Sequence, residues 1–259
     1  EQIFDSEYSY FSSFSDTMLK HAEAYAERMI ARFGYNARSR VVEIASNDGY
    51  LLQYFVQRGI PVLGIEPTAN TAAAAEKRGV KTVVEFFGVQ TARHVLSNIG
   101  PADLLLGNNV LAHVPDINDF VGGLKVLLVR GGVVTMEFPQ LLKLVENRFW
   151  DTIYHEHFSY LSFTTVERIF AHHGLTLFDV EEIPVHGGSV RIFARHTDDT
   201  SQPVEPRVAE MKAREARAGH FDLAYYSGFG ERVKESKRQI LEFFIEAKRQ
   251  GKRVAGYGA

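Results

Sequence analysis

The segment Phe149-Trp150-Asp151-Thr152-Ile153-Tyr154-His155-Glu156-His157-Phe158-Ser159-Tyr160 has the composition of a chemical site, with the only tryptophan and two of the ten histidines of the chain. An unperturbed histidine titrates near pH ~6.5, so an imidazole here can accept a proton at neutral pH. Glu156 can hold an imidazole or a substrate hydroxyl by hydrogen bond, and Tyr154 can donate to an oxygen that gains negative charge. Metal ligation is one rival reading. On a strand His155 and His157 share a face from which Glu156 points away, and on a helix they diverge by roughly 200°. The spacing is not His-Glu-x-x-His. Acid–base chemistry without a metal is the expectation, and a loop merely tied down by these residues is the plain alternative.

Such a loop must be carried by regular elements. Residues 14–33 place Phe14, Met18, Ala22, Tyr25, Met29 and Phe33 at helical spacing, with Ser15-Asp16 as N-cap and Gly34 as stop. From Arg40, strands at 41–45, 61–65, 82–84, 102–107 and 131–138 alternate with helices near 49–58, 69–78, 90–98 and 116–129. This rhythm means crossover units and a parallel sheet. After Pro139 a loop spans about 140–163, then a helix 164–173 and strands at 176–181 and 189–195. The last connection, 183–188, is too short for a crossover helix, so those two strands pair antiparallel. The expected fold is α/β: a mostly parallel, seven-stranded Rossmann-like sheet closed by an antiparallel hairpin, in the order of class I methyltransferases. The segments are 1–39 as a helical entry, 40–196 as the cofactor domain, and 197–259 as linker helices and the start of a second Rossmann-like domain. Residues 207–250 read as a solvated helical connector, broken near Gly219 and Gly228. The run from Arg253 to Ala259 reads as a strand entering a glycine turn, as though the sequence were a piece of a longer protein.

The chemical loop follows the fifth strand, over the carboxyl edge of the sheet, where such folds bind cofactors. There the first strand runs through Glu43 into Ala45-Ser46-Asn47-Asp48-Gly49. Small side chains permit close backbone approach, Gly49 suits a positive φ, and the following helix offers free N–H groups to a carboxylate. An ordinary strand-to-helix turn would look similar. The second strand ends in Glu66-Pro67, about 20 residues on, where a carboxylate accepts ribose hydroxyls of adenosylmethionine or NAD alike. The missing Gly-x-Gly-x-x-Gly and the terminal hairpin favour S-adenosylmethionine, with S-adenosylhomocysteine as product. Asn108-Asn109 after the fourth strand can meet the methionine amino group, or simply make a turn. Phe86-Phe87 can cover the adenine, or one of the pair can pack in the core.

Composition sets outer limits. With 29 Lys+Arg against 32 Asp+Glu, the chain lacks the positive surface that binds nucleic acid. No apolar run nears the roughly 20 residues that span a bilayer, and zero cysteines exclude thiolate metal sites. A cytoplasmic enzyme with a small-molecule partner is the expectation.

Together, Asn47-Asp48-Gly49, Asn108-Asn109-x-x-x-His113, Tyr154-His155-Glu156-His157 and His186-Gly187-Gly188-Ser189 resemble nucleotide-sugar C-methyltransferases, which act on TDP-linked 4-keto sugars. The opening Tyr8-Ser9-Tyr10-Phe11-Ser12-Ser13 is similar to that family's entry segment. The resemblance implies His157 as the base that removes a sugar C–H proton. It places Tyr154, Glu156, His113 and Tyr8 around the sugar, with His186, Gly187, Gly188 and Ser189 close by. It also implies an N-terminal zinc module, absent from this cysteine-free sequence, and a C-terminal domain that is mostly absent. An O- or N-methyltransferase of a small metabolite and a dehydrogenase-like nucleotide-binding module are the alternatives.

Overall fold

Runs such as Val41-Val42-Glu43-Ile44 and Leu104-Leu105-Leu106 suit strands covered by helices on both faces. The computed structural model describes residue 4 and residues 8–256, with His186 by its backbone alone, and it shows such a sheet. Helix α1 (Asp16–Phe33) leads into β1 (Val41–Ile44), α2 (Leu52–Gln57), β2 (Val62–Ile65), α3 (Ala69–Glu76), β3 (Thr82–Val83) and α4 (Val89–Asn98). Then follow β4 (Ala102–Asn108), α5 (Ile117–Leu127), β5 (Leu128–Pro139), α6 (Leu141–Asn147), α7 (Phe163–His172), β6 (Leu175–Ile183) and β7 (Ser189–His196). The strand order is β3-β2-β1-β4-β5-β7-β6. The first five strands run parallel, and β7 pairs antiparallel with both β5 and β6. Order reverses between β1 and β4, so their carboxyl ends open a crevice.

Two hydrophobic clusters cover the two faces. Val41, Leu104, Leu106 and Phe193 meet α1 and α2, whereas Val42, Leu105, Val134 and Ile192 meet α4, α5 and α7. On α1 the buried residues are Ala22, Tyr25, Ala26 and Met29, one helical stripe. Ser15 caps that helix at the Met18 N–H, and Gly34 ends it at φ 72°. Phe14 departs from expectation: it precedes the helix, stacks on Phe11 and is 82% exposed.

Charge adds a second bond between α1 and the sheet. Arg191 on β7 and Glu137 on β5 are 2% and 1% exposed and form an ion pair. His21 on α1 reaches the other Glu137 oxygen at 2.9 Å. Arg32 and Arg207 both donate to buried Asp179 on β6, at 2.7 and 2.8 Å.

Four local readings change. Helix α2 starts at Leu52, not near 49, because residues 47–51 form a turn with Gly49 at φ 75°. The supposed loop 140–163 contains α6, whose stop is Arg148 at φ 60° in place of a glycine. Beyond β7 lie α8 (Pro206–Ala218), α9 (Leu223–Ser227) and α10 (Phe229–Arg249). Helix α8 is no solvated connector, since Val208, Met211 and Glu215 are buried against the domain. Residues 253–256 form no strand, and 257–259 lie outside the described residues. Among the described residues, no helix is long and apolar enough to cross a membrane.

Arg191→Met should leave Glu137 buried with a diminished partner set and destabilise the fold by about 3–5 kcal/mol. Urea unfolding measures this, and a loss under about 1 kcal/mol would show that the charge pair does not hold the sheet.

Candidate active site

At the carboxyl ends of β1 and β4 the backbone turns sharply. Ala45, Asn47 and Asn109 all lie in the left-handed region, at φ 56°, 49° and 55°. Few non-glycine residues do so, and such positions gather at functional sites. The glycines absent from this turn are therefore absent by residue type only. Gly49 itself is closely packed: a Cβ there would lie 3.1 Å from Val80 and 3.2 Å from Ala75.

Beneath these turns lie buried polar atoms. Both carboxylate oxygens of Glu43, the Ser46 hydroxyl, both carboxylate oxygens of Asp48, both amide atoms of Asn108 and Oδ1 of Asn109 have no hydrogen-bond partner among the described residues. Asp48 has Arg78 at 3.2 Å as a counter-charge. Glu43, fully buried, has none, and burial, reinforced by the charges of Glu66, Asp48 and Glu137, holds its carboxyl well above the usual range. Orphaned buried acceptors of this kind demand a donor, preferably a cation. Glu66 is already part of the loop: its oxygens accept from the Asn47 and Thr68 N–H groups at 2.9 and 3.0 Å and from the Thr68 hydroxyl at 2.6 Å. A carboxylate has about four acceptor positions, so capacity remains for a ligand hydroxyl. Pro67 follows it, half-buried.

The entry segment is latched over this crevice. Asn47 accepts from the Ser12 N–H at 2.9 Å and donates to the Tyr10 carbonyl at 3.0 Å. Asn70 donates to the Tyr8 carbonyl at 2.7 Å, and Arg78 to the Ser13 hydroxyl at 2.8 Å. Burial, with the nearby charges of Glu156 and Glu66, pushes the Tyr8 phenol up to about 12. One side chain thus feels both the acid after β2 and the acid of the 149–160 segment.

Rings continue from there. Phe4 lies 5.4 Å from Tyr8 and 6.1 Å from His113 by centroid, His113 is 4.7 Å from His157, and His157 is 4.4 Å from Tyr154. The loop is fixed to the turn after β4 by Phe158 and Ser159, whose N–H groups donate to the Ala112 carbonyl. His157 Nδ1 lies 2.9 Å from the Thr152 carbonyl oxygen. A carbonyl only accepts, so Nδ1 carries the proton and Nε2 is the free acceptor of the neutral ring. Burial and the neighbouring His157 lower the His113 pKa, which keeps that ring neutral. Tyr154 is held above its ordinary value by burial and by Glu156, so its phenol stays a donor.

Most of the expected residues therefore gather in one region, but Phe87 and the hairpin residues do not fit in the same way. Phe87 packs edge-on against Phe120 in the core, 5.3 Å between centroids, and the exposed ring is Phe86. The hairpin turn stands against the start of the loop rather than against His157: a Cβ on Gly187 would lie 2.6 Å from the Phe149 ring, Gly188 faces Lys143, and Ser189 donates to the Val185 carbonyl. Of His186 only the backbone is described. Sequence reasoning missed the latch of Asn70 and Arg78, and the pair Glu137–Arg191. For the pair a signal existed, an acid at position 137 and a base at position 191, each flanked by apolar residues in its strand.

Residues 18–180 match the methyltransferase domain family, and residues 184–259 match the family described as the C-methyltransferase C-terminal domain. The chain belongs to the methyltransferase-domain family, and its sheet is that of the class I S-adenosylmethionine-dependent enzymes. It is 36% identical to C-methyltransferase NovU of Streptomyces niveus over 97% of this chain and 60% of that protein, so it spans less than two thirds of the relative's length. Solved structures share the fold at low identity. PH0226 of Pyrococcus horikoshii OT3 matches at TM-score 0.59 and 14% identity, covering 72% of this chain and 94% of that one. Magnesium protoporphyrin IX methyltransferase of Synechocystis PCC 6803, with bound SAH, matches at 0.52 and 12%, covering 68% and 82%.

If the left-handed turn is strained, Ala45→Gly relieves about 1–2 kcal/mol against about 0.4–1 kcal/mol of added unfolded-chain entropy. It should be neutral to mildly stabilising, and Gly49→Ala should destabilise by more than about 1 kcal/mol. Urea midpoints decide, and an ordinary Ala→Gly loss at position 45 would contradict the strain.

Proposed function

We propose that this chain carries the S-adenosylmethionine-dependent C-methylation centre for a nucleotide-linked 4-keto sugar, with His157 as the base. The observation that carries the reading is the Nδ1 hydrogen bond to Thr152, which commits the imidazole to one tautomer and leaves Nε2 as acceptor. The orphaned acceptors at the ends of β1 and β4 supply the second half of the site.

The residues at that edge fit the cofactor. Glu43, Asn108 and Asn109 would meet its ammonium group, the turn Ala45-Ser46-Asn47 would admit it closely, and Glu66 would accept ribose hydroxyls. When bound, S-adenosylmethionine supplies an electrophilic methyl group. The chain's own residues do the rest. Nε2 of His157 takes the proton from the carbon beside the ketone, and the C–H electron pair moves into the carbonyl as an enolate. The phenol of Tyr154 and the neutral His113 donate to the oxygen that becomes negative, where preorganised donors act most strongly. Glu156 holds a sugar hydroxyl or the imidazolium that forms. Tyr8 closes the space between the two half-sites. Alignment of the nucleophilic carbon within about 3–3.5 Å of its target supplies much of the rate. Carbon is favoured over oxygen or nitrogen as the acceptor by the pairing of a committed base with donors for an oxyanion, and by the 184–259 match.

His157→Asn should leave cofactor affinity intact and cut turnover by about 10²–10⁴-fold, the usual worth of a general base. Near-normal turnover removes His157 from the reaction. Glu66→Ala should instead weaken cofactor binding, as calorimetry reads directly.

Glu43 gives a pH prediction. Burial and three neighbouring acids hold its carboxyl well above the usual carboxylate range in the free protein. A bound cation lowers that pKa, so binding releases up to one proton and affinity rises with pH between the bound and free values. Calorimetry in buffers of different ionisation enthalpy should show the release, and Glu43→Gln should abolish it. Buffer-independent heats in the unsubstituted protein would contradict the assignment.

A further inference from the structure

We propose that Glu215, on helix α8, is a positioning residue that holds both ends of the segment carrying Tyr154, Glu156 and His157. The proposal rests on the reading of that segment as the catalytic loop. Glu215 is fully buried. Its two oxygens accept from the Phe163 N–H at 2.8 Å, the Thr164 N–H at 2.9 Å, the Thr164 hydroxyl at 2.7 Å and the Gln140 side-chain amide at 3.2 Å. Gln140 is the residue after β5 from which the loop departs, and Phe163 begins α7, where the loop returns. A single carboxylate therefore ties the two stems of a segment more than 20 residues long. The stems also touch directly, since the Leu141 N–H donates to the Leu161 carbonyl at 3.0 Å.

Physics favours a carboxylate here over any neutral acceptor. Phe163 and Thr164 lie in the first turn of α7, whose N–H groups have no partner within the helix. The positive end of the helix stabilises a negative charge, and among the described residues no basic side chain pairs with Glu215. Helix α8 is itself anchored, with Val208 and Met211 in the core and Lys212 on Glu167 of α7 at 2.7 Å. The stretch matching the C-methyltransferase C-terminal domain thus reaches into the support of the catalytic loop, whereas a simple connector would need no buried acid.

The test compares Glu215→Gln and Gln140→Ala with the unsubstituted protein by hydrogen exchange, cofactor calorimetry and turnover. Glu215→Gln should speed exchange in peptides covering 149–160 by at least about fivefold while the β1 and β4 amides stay protected, a local opening. Cofactor affinity should change less than about threefold, and turnover should fall roughly 10–100-fold, the scale of a small misplacement of catalytic groups. Gln140→Ala, which leaves the α7 cap intact, should act in the same direction and more weakly, and it decides the matter if Glu215→Gln does not fold. Unchanged exchange at 149–160 in folded variants overturns the proposal. Exchange does not depend on the substrate, so failure of the methyl-transfer reading alone would leave faster loop exchange without the matching turnover loss.

Discussion

A cluster of acids buried at the carboxyl edge of the sheet governs this structure. Glu43, Asp48, Glu66 and Glu137 are each 4% exposed or less. Three of them are answered by the fold itself: Glu137 by Arg191 and His21, Asp48 by Arg78, and Glu66 by the donors of the turn after β1. Glu43 alone is not. Burial and the neighbouring acids disfavour its charged form, so the folded chain holds a place where an external cation is worth more than it would be in water. The left-handed backbone at Ala45, Asn47 and Asn109 opens the approach to that place.

The second half of the site is built on the first. Asn47, Asn70 and Arg78 pin residues 8–13 across the crevice, and Tyr8 then lies between the acid that would hold a ribose and the acid beside the proposed base. From Tyr8 the rings of Phe4, His113, His157 and Tyr154 run without a break. The entry segment thus links the crevice between β1 and β4 to the 149–160 segment. The Ala112 carbonyl anchors the loop from the side of β4.

Much of this was legible in the sequence, and the parts that were not have physical reasons. Alternating apolar runs and the short link at 183–188 gave the sheet and its antiparallel end, because period and connection length constrain pairing strongly. Glu66 stood out as an acid closing an apolar strand. Helix α6 escaped because it has no capping side chain and ends on Arg148 in place of glycine. Of Phe86 and Phe87 the sequence does not say which packs inward, and tertiary packing on Phe120 takes Phe87. Glu215 was invisible because its partners, Gln140 and the start of α7, lie 51 or more positions away. In a polar helix its spacing looks like any solvated glutamate.

Proton removal by His157 from a carbon beside a ketone, as proposed, can be followed without waiting for methyl transfer. A nucleotide-linked 4-keto sugar is incubated in deuterium oxide with the protein and S-adenosylhomocysteine, and deuterium at the acidic carbon is followed by NMR. Incorporation should run well above the enzyme-free rate and be lost when His157 is replaced by asparagine. Incorporation that stays at the enzyme-free rate, or that survives the replacement, would contradict proton removal by His157.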